Sequence, residues 1–589
     1  MPLDTYQRAA VESEIPRILV RAGAGSGKTR TLVARCERLI TSGWHPAEIL
    51  ALTFTRKAAA EMRERLVVAL GSGARRLTVS TFHSWCASVL REFADRVPID
   101  PAFTIRDEGD KDDLLKHVAI ELGKTGKKPG EVGAWASKPL HPSTRKRLTS
   151  DPQVMGRYRQ LLREASALDF DMLEGELLRV LRSHVDVRDA LVSRWFHVLV
   201  DEYQDTSGDQ QAILDALAPH NLFVVGDLSQ SIYRFRGAEP QGFVEFGERA
   251  GVRVLDLPIN YRSVLDVVRM ANACAARMAV PGVEMGCGRG SDAPAQGPGA
   301  GVLAAPDRDA LFAEIVRDLG VVAGEYLFKR CAILSPTWDL LERLSPALEA
   351  AHIPHRVARR RLDVWETEEA RWAINLLRLA VNPWDDLALR AALAAFRPRV
   401  SSAGWAMARG QALRDGCPTS TVLYDDPSCA VLRACPLRWP DGVDRADAAI
   451  QVMLPMLSAE LASLHLHTRV TGLEALAAAS STWCQTSTDP SVQALLTWYA
   501  ERRMTDPEVA EDTNEVTLTT IHGAKGLEWP CVWVLGCEAG RLPRDPSTLE
   551  DLEESRRLFY VALTRARDRL RLCVARHREP SPFVREVTP

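Results

Sequence analysis

The 589-residue sequence lacks the features that mark several specialised classes of protein. No stretch approaches the roughly 18 consecutive apolar residues of a membrane-spanning helix, and the first residues, MPLDTYQRAA, lack the basic and then apolar pattern of a signal peptide. The twelve cysteines are few for this length and none is spaced as CxxC. This usage argues against a disulfide scaffold and indicates reduced thiols in a cytoplasmic protein with no membrane partner.

Neither sign of charge dominates, since the chain has 74 basic and 77 acidic residues and a net charge of -3. Such a balance does not by itself indicate a nucleic-acid-binding protein, but a local basic groove can lie on a nearly neutral molecule. The hydrophobic share of 46% and the charged share of 26% are those of an ordinary globular protein. At roughly 150 residues per domain, the length predicts about four domains.

Apolar, β-branched runs followed by turns or helical patterns predict an α/β fold with parallel sheets. The predicted strands are Arg17–Arg21, Ile49–Phe54, Trp195–Asp201, Leu222–Gly226, Cys331–Leu334, Val516–Thr520 and Cys531–Leu535. Two long helical stretches interrupt this alternation. We therefore predict one α/β domain from residues 1–85 and 191–258 with a helical insertion at 86–190, and a second from 259–385 and 512–589 with an insertion at 386–511.

A glycine-rich segment, AGAGSGKT, follows the first predicted strand and precedes a helical pattern. Its residues are Ala22, Gly23, Ala24, Gly25, Ser26, Gly27, Lys28 and Thr29. Glycines let the backbone N–H groups turn toward phosphate oxygens, and the helix dipole adds to their attraction. In such a loop the lysine reaches the β- and γ-phosphates and the Thr29 hydroxyl binds Mg²⁺. The segment predicts a nucleoside triphosphate site.

Two acids, Asp201 and Glu202, end the predicted strand that contains HVLV. At this place an aspartate holds Mg²⁺ through water and a glutamate orients or deprotonates the attacking water. Together with the phosphate loop they predict a Mg²⁺-dependent NTPase.

Longer motifs then carry a resemblance to a family. These are TFTRKAAAEM (Thr53–Met62), TFHS (Thr81–Ser84), VDEYQDT (Val200–Thr206), VGDLSQSIYRFRGA (Val225–Ala238), NYRS (Asn260–Ser263), TLTTIHGAKGLEW (Thr517–Trp529) and EESRRLFYVALTRAR (Glu553–Arg567). In this order the chain resembles the UvrD/Rep/PcrA-type superfamily 1 DNA helicases over nearly its whole length. The resemblance implies two RecA-like P-loop motor domains, each with an inserted helical subdomain.

The resemblance also implies roles at matching positions. Gln7 resembles the glutamine that reads adenine, Arg30 and Tyr261 the residues that sandwich the base, and Glu528 the acid near the ribose. Gln230 resembles the γ-phosphate sensor, while Arg262 and Arg565 match the arginines that the second motor domain brings to the γ-phosphate. The residues that match the family's single-stranded DNA track are Phe54, Thr55, Phe82, His83, Tyr233, Phe235 and Arg236. The residues alone also allow Tyr233 and Phe235 to be core aromatics.

The chain departs from the family in two places. Its second insertion is shorter than usual and has PRVSSAGWAMARG (Pro398–Gly410) where larger relatives carry a Gly-Ile-Gly type element that grips duplex DNA. The sequence also ends about twenty residues after the last motif, so we expect a short form without a C-terminal docking tail or nuclease domain.

The leading expectation is ATP-driven 3′→5′ movement on single-stranded DNA with separation of the duplex, in repair, replication or recombination. The resemblance alone implies the polarity. Two alternatives stay open: a translocating ATPase that unwinds poorly, and a DNA-sensing subunit that acts with a separate nuclease. The expected partners are single-stranded DNA and single-strand/duplex junctions, with a nuclease or repair protein as a further candidate. A monomer or a homodimer fits equally.

Overall fold

The computed structural model describes residues 2–96, 100–124, 140–289, 299–358, 364–395, 402–424, 429, 432, 445–463, 470–487, 489–502 and 513–588. The chain divides into two compact units. The first contains residues 1–82, 185–360 and 506–589, and the second contains residues 83–184 and 361–505. Within the described ranges no helix combines the length and the apolar character needed to cross a bilayer.

The first unit contains two six-stranded parallel sheets. One has the order β3-β2-β6-β7-β1-β8, with β1 at Arg17–Ala22, β2 at Ile49–Thr53, β3 at Thr78–Thr81, β6 at His197–Val200, β7 at Asn221–Gly226 and β8 at Val252–Leu257. All residues of β2 and β6 are buried, as expected where helices cover both faces of a parallel sheet.

The other sheet has the order β11-β16-β15-β12-β14-β13. Its strands are β11 at Ala300–Ala305, β12 at Cys331–Ser335, β13 at His355–Val357, β14 at Val516–Thr520, β15 at Trp529–Val534 and β16 at Ala566–Ala575. A short pair, β9 at Ile259–Asn260 and β10 at Gly286–Cys287, lies beside the phosphate loop, because Tyr261 N donates to Gly25 O at 3.0 Å.

Helices of the first unit connect these strands. They are Thr5–Glu12, Lys28–Thr41, Arg56–Leu70, Val185–Arg194, Gly208–Leu217, Pro240–Glu248, Leu265–Ala275, Arg308–Val322, Trp338–Ala350, Leu549–Leu563 and Pro582–Val587. The α/β class with parallel sheets is confirmed, and the seven predicted strands correspond to β1, β2, β6, β7, β12, β14 and β15.

The second unit is mainly helical. Its helices are Phe82–Glu92 (from His83 onward), Glu108–Glu121, Pro142–Thr149, Pro152–Glu164, Phe170–Ser183, Glu368–Val381, Asp386–Ala395, Ser402–Asp415, Thr419–Leu423, Ala446–Ser463, Val470–Thr486 and Val492–Arg502. One short strand pair accompanies them, β4 at Thr104–Arg106 with β5 at Ala167–Asp169.

Buried polar side chains hold the two chain segments of this unit together. Asp385 is fully buried and contacts the guanidinium of Arg106, and it also accepts a hydrogen bond from Thr104 Oγ1 at 2.6 Å. Arg378, 2% exposed, donates to Asp110 Oδ2 at 2.8 Å and to Ile105 O at 3.0 Å. Because a buried charge without a partner is costly, each of these groups depends on its counterpart from the other segment.

The predicted border between residues 385 and 386 therefore lies inside this second unit, which resumes at residue 361. The division into two motor domains with separate insertions stays a prediction in its boundaries. Pro398–Gly410 is described only from Ser402, where a helix begins that runs to Asp415.

Candidate active site and nucleic-acid interface

The phosphate loop connects β1 to the helix Lys28–Thr41. Gly25 and Gly27 have φ values of 68° and 83°, a conformation that a side chain disfavours. A Cβ at Gly25 would lie 2.6 Å from the Arg262 Cβ, and one at Gly27 would lie 2.9 Å from Gln7 Nε2. The glycines are therefore needed both for the turn and for the close approach of neighbouring groups.

Lys28 and Thr29, the first residues of the helix, face two acids at strand ends. Lys28 Nζ lies 3.7 Å from Asp227 Oδ2, just after β7, and Thr29 Oγ1 lies 3.4 Å from Asp201 Oδ2, just after β6. Burial raises the pKa of Asp227, and Lys28 opposes that rise. The carboxyl ends of two neighbouring parallel strands thus meet the phosphate loop at one edge of the sheet.

Asp201, which is buried, and Glu202, which is half-buried, are adjacent acids at the end of β6. Burial and the charge of Glu202 raise the pKa of Asp201. Burial also opposes the ionised form of Glu202, but Lys28 and Lys525 outweigh it and lower the pKa of that group. The surroundings thus shift the two groups in opposite directions, which favours the ionised form at Glu202.

Glu202 is held in an unusual backbone conformation with φ of 51°, which is strained for a residue with a side chain. Gln204, which has no exposed surface, donates from Nε2 to Glu202 Oε2 at 2.6 Å and accepts from Asp227 N at 2.8 Å. The Glu202 carboxylate is thereby fixed relative to the end of β7.

Gln230 links the phosphate loop to the second sheet. Its Nε2 donates to Asp227 Oδ2 at 2.5 Å, and its Oε1 accepts from Arg565 Nη2 at 2.8 Å. Arg565 also donates to Val561 O and Leu527 O, at 3.0 and 3.1 Å. Burial and the charge of Arg262 lower the pKa of Arg565 to about 9. A buried guanidinium among neutral oxygens is placed to gain from an incoming anion.

Arg262 lies two residues after β9. The Nε of Arg262 contacts the carboxylate of Glu528. Its Nη1 donates to Thr564 O at 3.1 Å, next to Arg565. Arg567 Nη1 lies 3.7 Å from the other oxygen of Glu528. Arg262, Arg565 and Glu528, which are distant in sequence, are thus brought to one place.

The predicted base-binding residues come from three elements, with Gln7 on the helix Thr5–Glu12, Arg30 on the helix Lys28–Thr41 and Tyr261 directly after β9. Gln7, 1% exposed, donates from Nε2 to Ser26 O at 2.9 Å. The Tyr261 hydroxyl donates to Asp4, and Arg30 is close enough to lower the pKa of that hydroxyl. Burial and Asp4 outweigh Arg30, so the pKa of Tyr261 rises to about 12.

Aromatic residues of the predicted DNA track form a cluster beside Gln230. The rings of Phe54 and Tyr233 stack at 5.1 Å, and Phe235 meets the edges of Tyr233 at 6.0 Å and His522 at 5.5 Å. The guanidinium of Arg236 lies over the rings of Tyr233 and Phe235, at 4.9 and 5.4 Å. Phe235 is 64% exposed, whereas Tyr233 is 6% exposed. Tyr233 is therefore a core aromatic, and Phe235 is not.

The remaining track residues have structural partners. The Thr55 hydroxyl caps the helix Arg56–Leu70 by accepting from Ala58 N at 3.1 Å, and the Phe82 ring is buried. His83 belongs to the second unit, where its Nε2 lies 3.0 Å from Glu174 Oε1. Burial lowers the pKa of His83, but Glu174 outweighs it and the pKa is raised.

Several groups at this site were missed by sequence reasoning. Lys525 Nζ contacts Asp205 Oδ2, donates to Gln230 O at 2.7 Å and lies 4.5 Å from the centre of the Tyr233 ring. Asp227 lies directly after β7, just as Asp201 lies directly after β6. This position at the end of a buried strand is the signal that could have identified Asp227 from the sequence. Lys525 and Asp205 stand inside quoted motifs, but their contact joins residues 320 apart.

Comparison with known proteins identifies the family to which the chain belongs. The model of the UvrD/REP helicase N-terminal domain matches residues 3–251, and that of the UvrD-like helicase C-terminal domain matches residues 255–425 and 468–577. The ATP-dependent DNA helicase UvrD1 of Mycobacterium tuberculosis is 32% identical, with 96% of this chain and 81% of the relative covered. The ATP-dependent DNA helicase PcrA of Bacillus subtilis is 28% identical, with 98% and 83% covered. With both domain models matched in order and such relatives over almost its full length, the chain belongs to the UvrD-like helicase family, with two RecA-like motor domains.

Proposed function

We propose that this protein is an ATP-dependent DNA helicase that moves 3′→5′ along single-stranded DNA and separates the duplex ahead of it. The relatives named as ATP-dependent DNA helicases support the activity. The observation that carries the proposal is a chain of contacts that starts at Lys28 and ends at the exposed ring of Phe235, by way of Asp227, Gln230, Lys525 and Tyr233.

The residues fit ATP with Mg²⁺. The tight glycine turn offers backbone N–H groups, and the buried Arg565, with its lowered pKa and neutral partners, suits an added phosphate charge. Lys28, Arg262 and Arg565 would hold the phosphates, and Thr29 and Asp201 would hold the metal. When bound, Mg²⁺ neutralises charge on the phosphate oxygens.

Glu202 is the candidate base for the attacking water. It is the carboxylate of the pair whose pKa is lowered, and Gln204 fixes its orientation at 2.6 Å. Arg262 and Arg565 stabilise the charge that develops on the transferred phosphoryl group. An arginine in this role accelerates related reactions by roughly 10³–10⁵.

Movement requires that the nucleotide site respond to DNA. Gln230 contacts Asp227 and Arg565, and five residues later Phe235 offers an exposed ring beside Arg236. Bases stack on such rings without sequence preference. A shift of Arg565 upon binding or release of the γ-phosphate would therefore pass through Gln230 to the base on Phe235. We place this activity in the cytoplasm, on single-stranded DNA and its junctions with duplex.

The test uses purified protein with a 3′-tailed duplex, a 5′-tailed duplex and a blunt duplex, with and without ATP. We expect unwinding of the 3′-tailed duplex alone, and only with ATP. Preference for the 5′-tailed substrate would overturn the polarity. ATP hydrolysis that does not respond to single-stranded DNA would overturn the function.

A second candidate is a DNA-dependent ATPase, or a DNA-sensing subunit that works with a separate nuclease. It is favoured by residues 426–467 of the second insertion, which lie outside the match to the C-terminal helicase domain. Strong DNA-stimulated ATPase without unwinding of any tailed duplex would support this candidate over the first.

A further inference from the structure

Asp4 lies where the amino-terminal helix meets the base-binding residues. It is the N-cap of the helix Thr5–Glu12, and its Oδ1 accepts from Gln7 N at 2.7 Å. Its Oδ2 accepts from the Tyr261 hydroxyl at 2.5 Å, across 257 residues of sequence. One carboxylate therefore binds the residue predicted to read the base edge, Gln7, and one of the two predicted to sandwich the base, Tyr261.

The same carboxylate fixes the position of the Gln7 side chain. In the capping box, Gln7 Oε1 accepts from Asp4 N at 3.3 Å, while Gln7 Nε2 donates to Ser26 O at 2.9 Å. These contacts distinguish the oxygen end of the amide from its nitrogen end. One lone pair on Oε1 and one hydrogen on Nε2 then remain to bind the base. That is the pattern that matches the amino group and N7 of adenine, whereas guanine presents an acceptor in place of the amino group.

Tyr261 is held from both ends. Its backbone N donates to Gly25 O at 3.0 Å, and its hydroxyl is held by Asp4. At neutral pH the hydroxyl carries its proton, as any tyrosine with a pKa of about 10 or more does, so it can donate to Asp4. The direction of the ring axis is thus fixed before any base arrives, which lowers the entropy lost on binding.

We propose that Asp4 is the positioning residue of the nucleobase pocket, which orients Gln7 and Tyr261 together and thereby makes the enzyme select adenine over guanine nucleotides. The inference rests on the proposed ATP hydrolysis. It assigns Asp4 no part in the chemistry, because its contacts are to the base-binding residues and not to Lys28, Glu202 or the arginines.

The experiment compares the wild type with Asp4→Ala, Asp4→Asn, Tyr261→Phe and the double variant Asp4→Ala/Tyr261→Phe. Single-stranded DNA is saturating, and kcat and KM are measured for ATP and GTP. Calorimetric titration with ADP and GDP gives a readout that does not depend on turnover. Asp307→Ala is the matched control, since Asp307 caps the helix Arg308–Val322 by accepting from Ala310 N at 2.8 Å.

We expect Asp4→Ala to raise KM for ATP and Kd for ADP by about 5- to 150-fold, because the entropy cost of ordering Gln7 and Tyr261 then falls on the binding of the base. The kcat should stay within about twofold, because the phosphate-binding groups are intact. The preference of this variant for ATP, given by the ratio of kcat/KM for ATP to kcat/KM for GTP, should fall by a similar factor. Asp4→Asn keeps the cap but presents an amide donor to the Tyr261 hydroxyl in place of an acceptor, so it should recover only the part of the loss that comes from Gln7.

The double variant tests the contact itself. If the hydroxyl acts through Asp4, Asp4→Ala in the Tyr261→Phe background should cost less than in the wild type. Fully additive effects, an unchanged ATP/GTP preference in Asp4→Ala, or an equal KM rise in Asp307→Ala would each overturn the inference. A wild type without DNA-stimulated ATPase would instead overturn the proposed function. Melting curves of all variants verify that each is folded.

Discussion

The nucleotide site and the DNA track share the short segment from Gln230 to Arg236, yet they are built in opposite ways. The nucleotide site consists of buried charges whose partners come from distant parts of the chain, such as Arg565 and Lys525. The predicted track presents an exposed ring, Phe235, beside the buried ring of Tyr233 and the half-buried ring of Phe54. Buried charges suit chemistry, because they are strong and fixed. An exposed ring suits a substrate that must be released at every step.

This contrast predicts that changes in the nucleotide site abolish turnover, whereas changes in the track mainly uncouple turnover from movement.

The largest effect is expected for Arg565→Ala. The arginine acts on charge that develops in the transition state, so kcat should fall by about 10³–10⁵ with a much smaller change in nucleotide affinity. Steady-state ATPase and ADP titration measure the two quantities. Arg253→Ala, an exposed arginine on β8, is the control. A mutant that only raised KM would make Arg565 an ordinary binding contact.

Glu202→Gln should lower kcat by about 10²–10⁴, the usual contribution of a general base. Because the amide keeps the size of the side chain, ATP should still bind and the ATP-bound enzyme should accumulate. Single-turnover hydrolysis and ATP binding are measured with saturating DNA, and Glu12→Gln on the exposed face of the amino-terminal helix is the control. Hydrolysis near the wild-type rate would remove Glu202 from the role of base.

Phe235→Ala should reduce unwinding per ATP hydrolysed while most of the DNA-stimulated ATPase remains. One lost stacking contact is worth roughly 1–3 kcal/mol, so DNA affinity should fall by about 5- to 150-fold without vanishing. Because the ring is 64% exposed, the melting temperature should not change.

Phe235→Trp should unwind at least as well as the parent, since the larger ring keeps the platform. Val68→Ala, at an 88% exposed apolar position of the same sheet domain, controls for loss of surface apolar area. If ATPase, unwinding and thermal stability of Phe235→Ala fell in parallel, the stacking role would be refuted.

The smallest effect concerns salt. Binding of single-stranded DNA should weaken as salt rises, with a log–log slope of about -0.7 per phosphate contact. Arg236→Ala should make this slope shallower by about 0.7 if Arg236 contacts one phosphate. Fluorescence anisotropy across salt concentrations measures it, with Arg253→Ala as control. An unchanged slope would restrict Arg236 to its contacts with the rings of Tyr233 and Phe235.

How much the sequence predicts depends on how local each feature is. The phosphate loop is one contiguous segment, as is Asp201-Glu202, and each follows an apolar run. Their chemistry can therefore be predicted without a structure. The strand β16 was missed because Arg567, Asp568 and Arg569 interrupt its apolar pattern, although most of its residues are buried. Those charges pair with groups such as Glu325 and Arg289 that no local pattern reveals.

Neighbouring aromatics show the same limit. Tyr233 and Phe235 are two residues apart at a short 3-10 turn, and sequence reasoning allowed either to be in the core. The turn directs one ring under Lys525 and the other outward, so their exposures differ about tenfold, 6% against 64%. Family motifs located both residues, but only the tertiary contact with Lys525 separates their roles.

The buried pairing of Arg106 with Asp385 also has a consequence for synthesis of the chain. The two residues are 279 apart, and at about 5–20 residues per second the ribosome adds Asp385 roughly 14–56 s after Arg106. Throughout that time Arg106 and Asp110 lack the partners that bury them, so the early segment must stay hydrated and loosely packed. This unit can therefore complete its core only after residue 385 has been added.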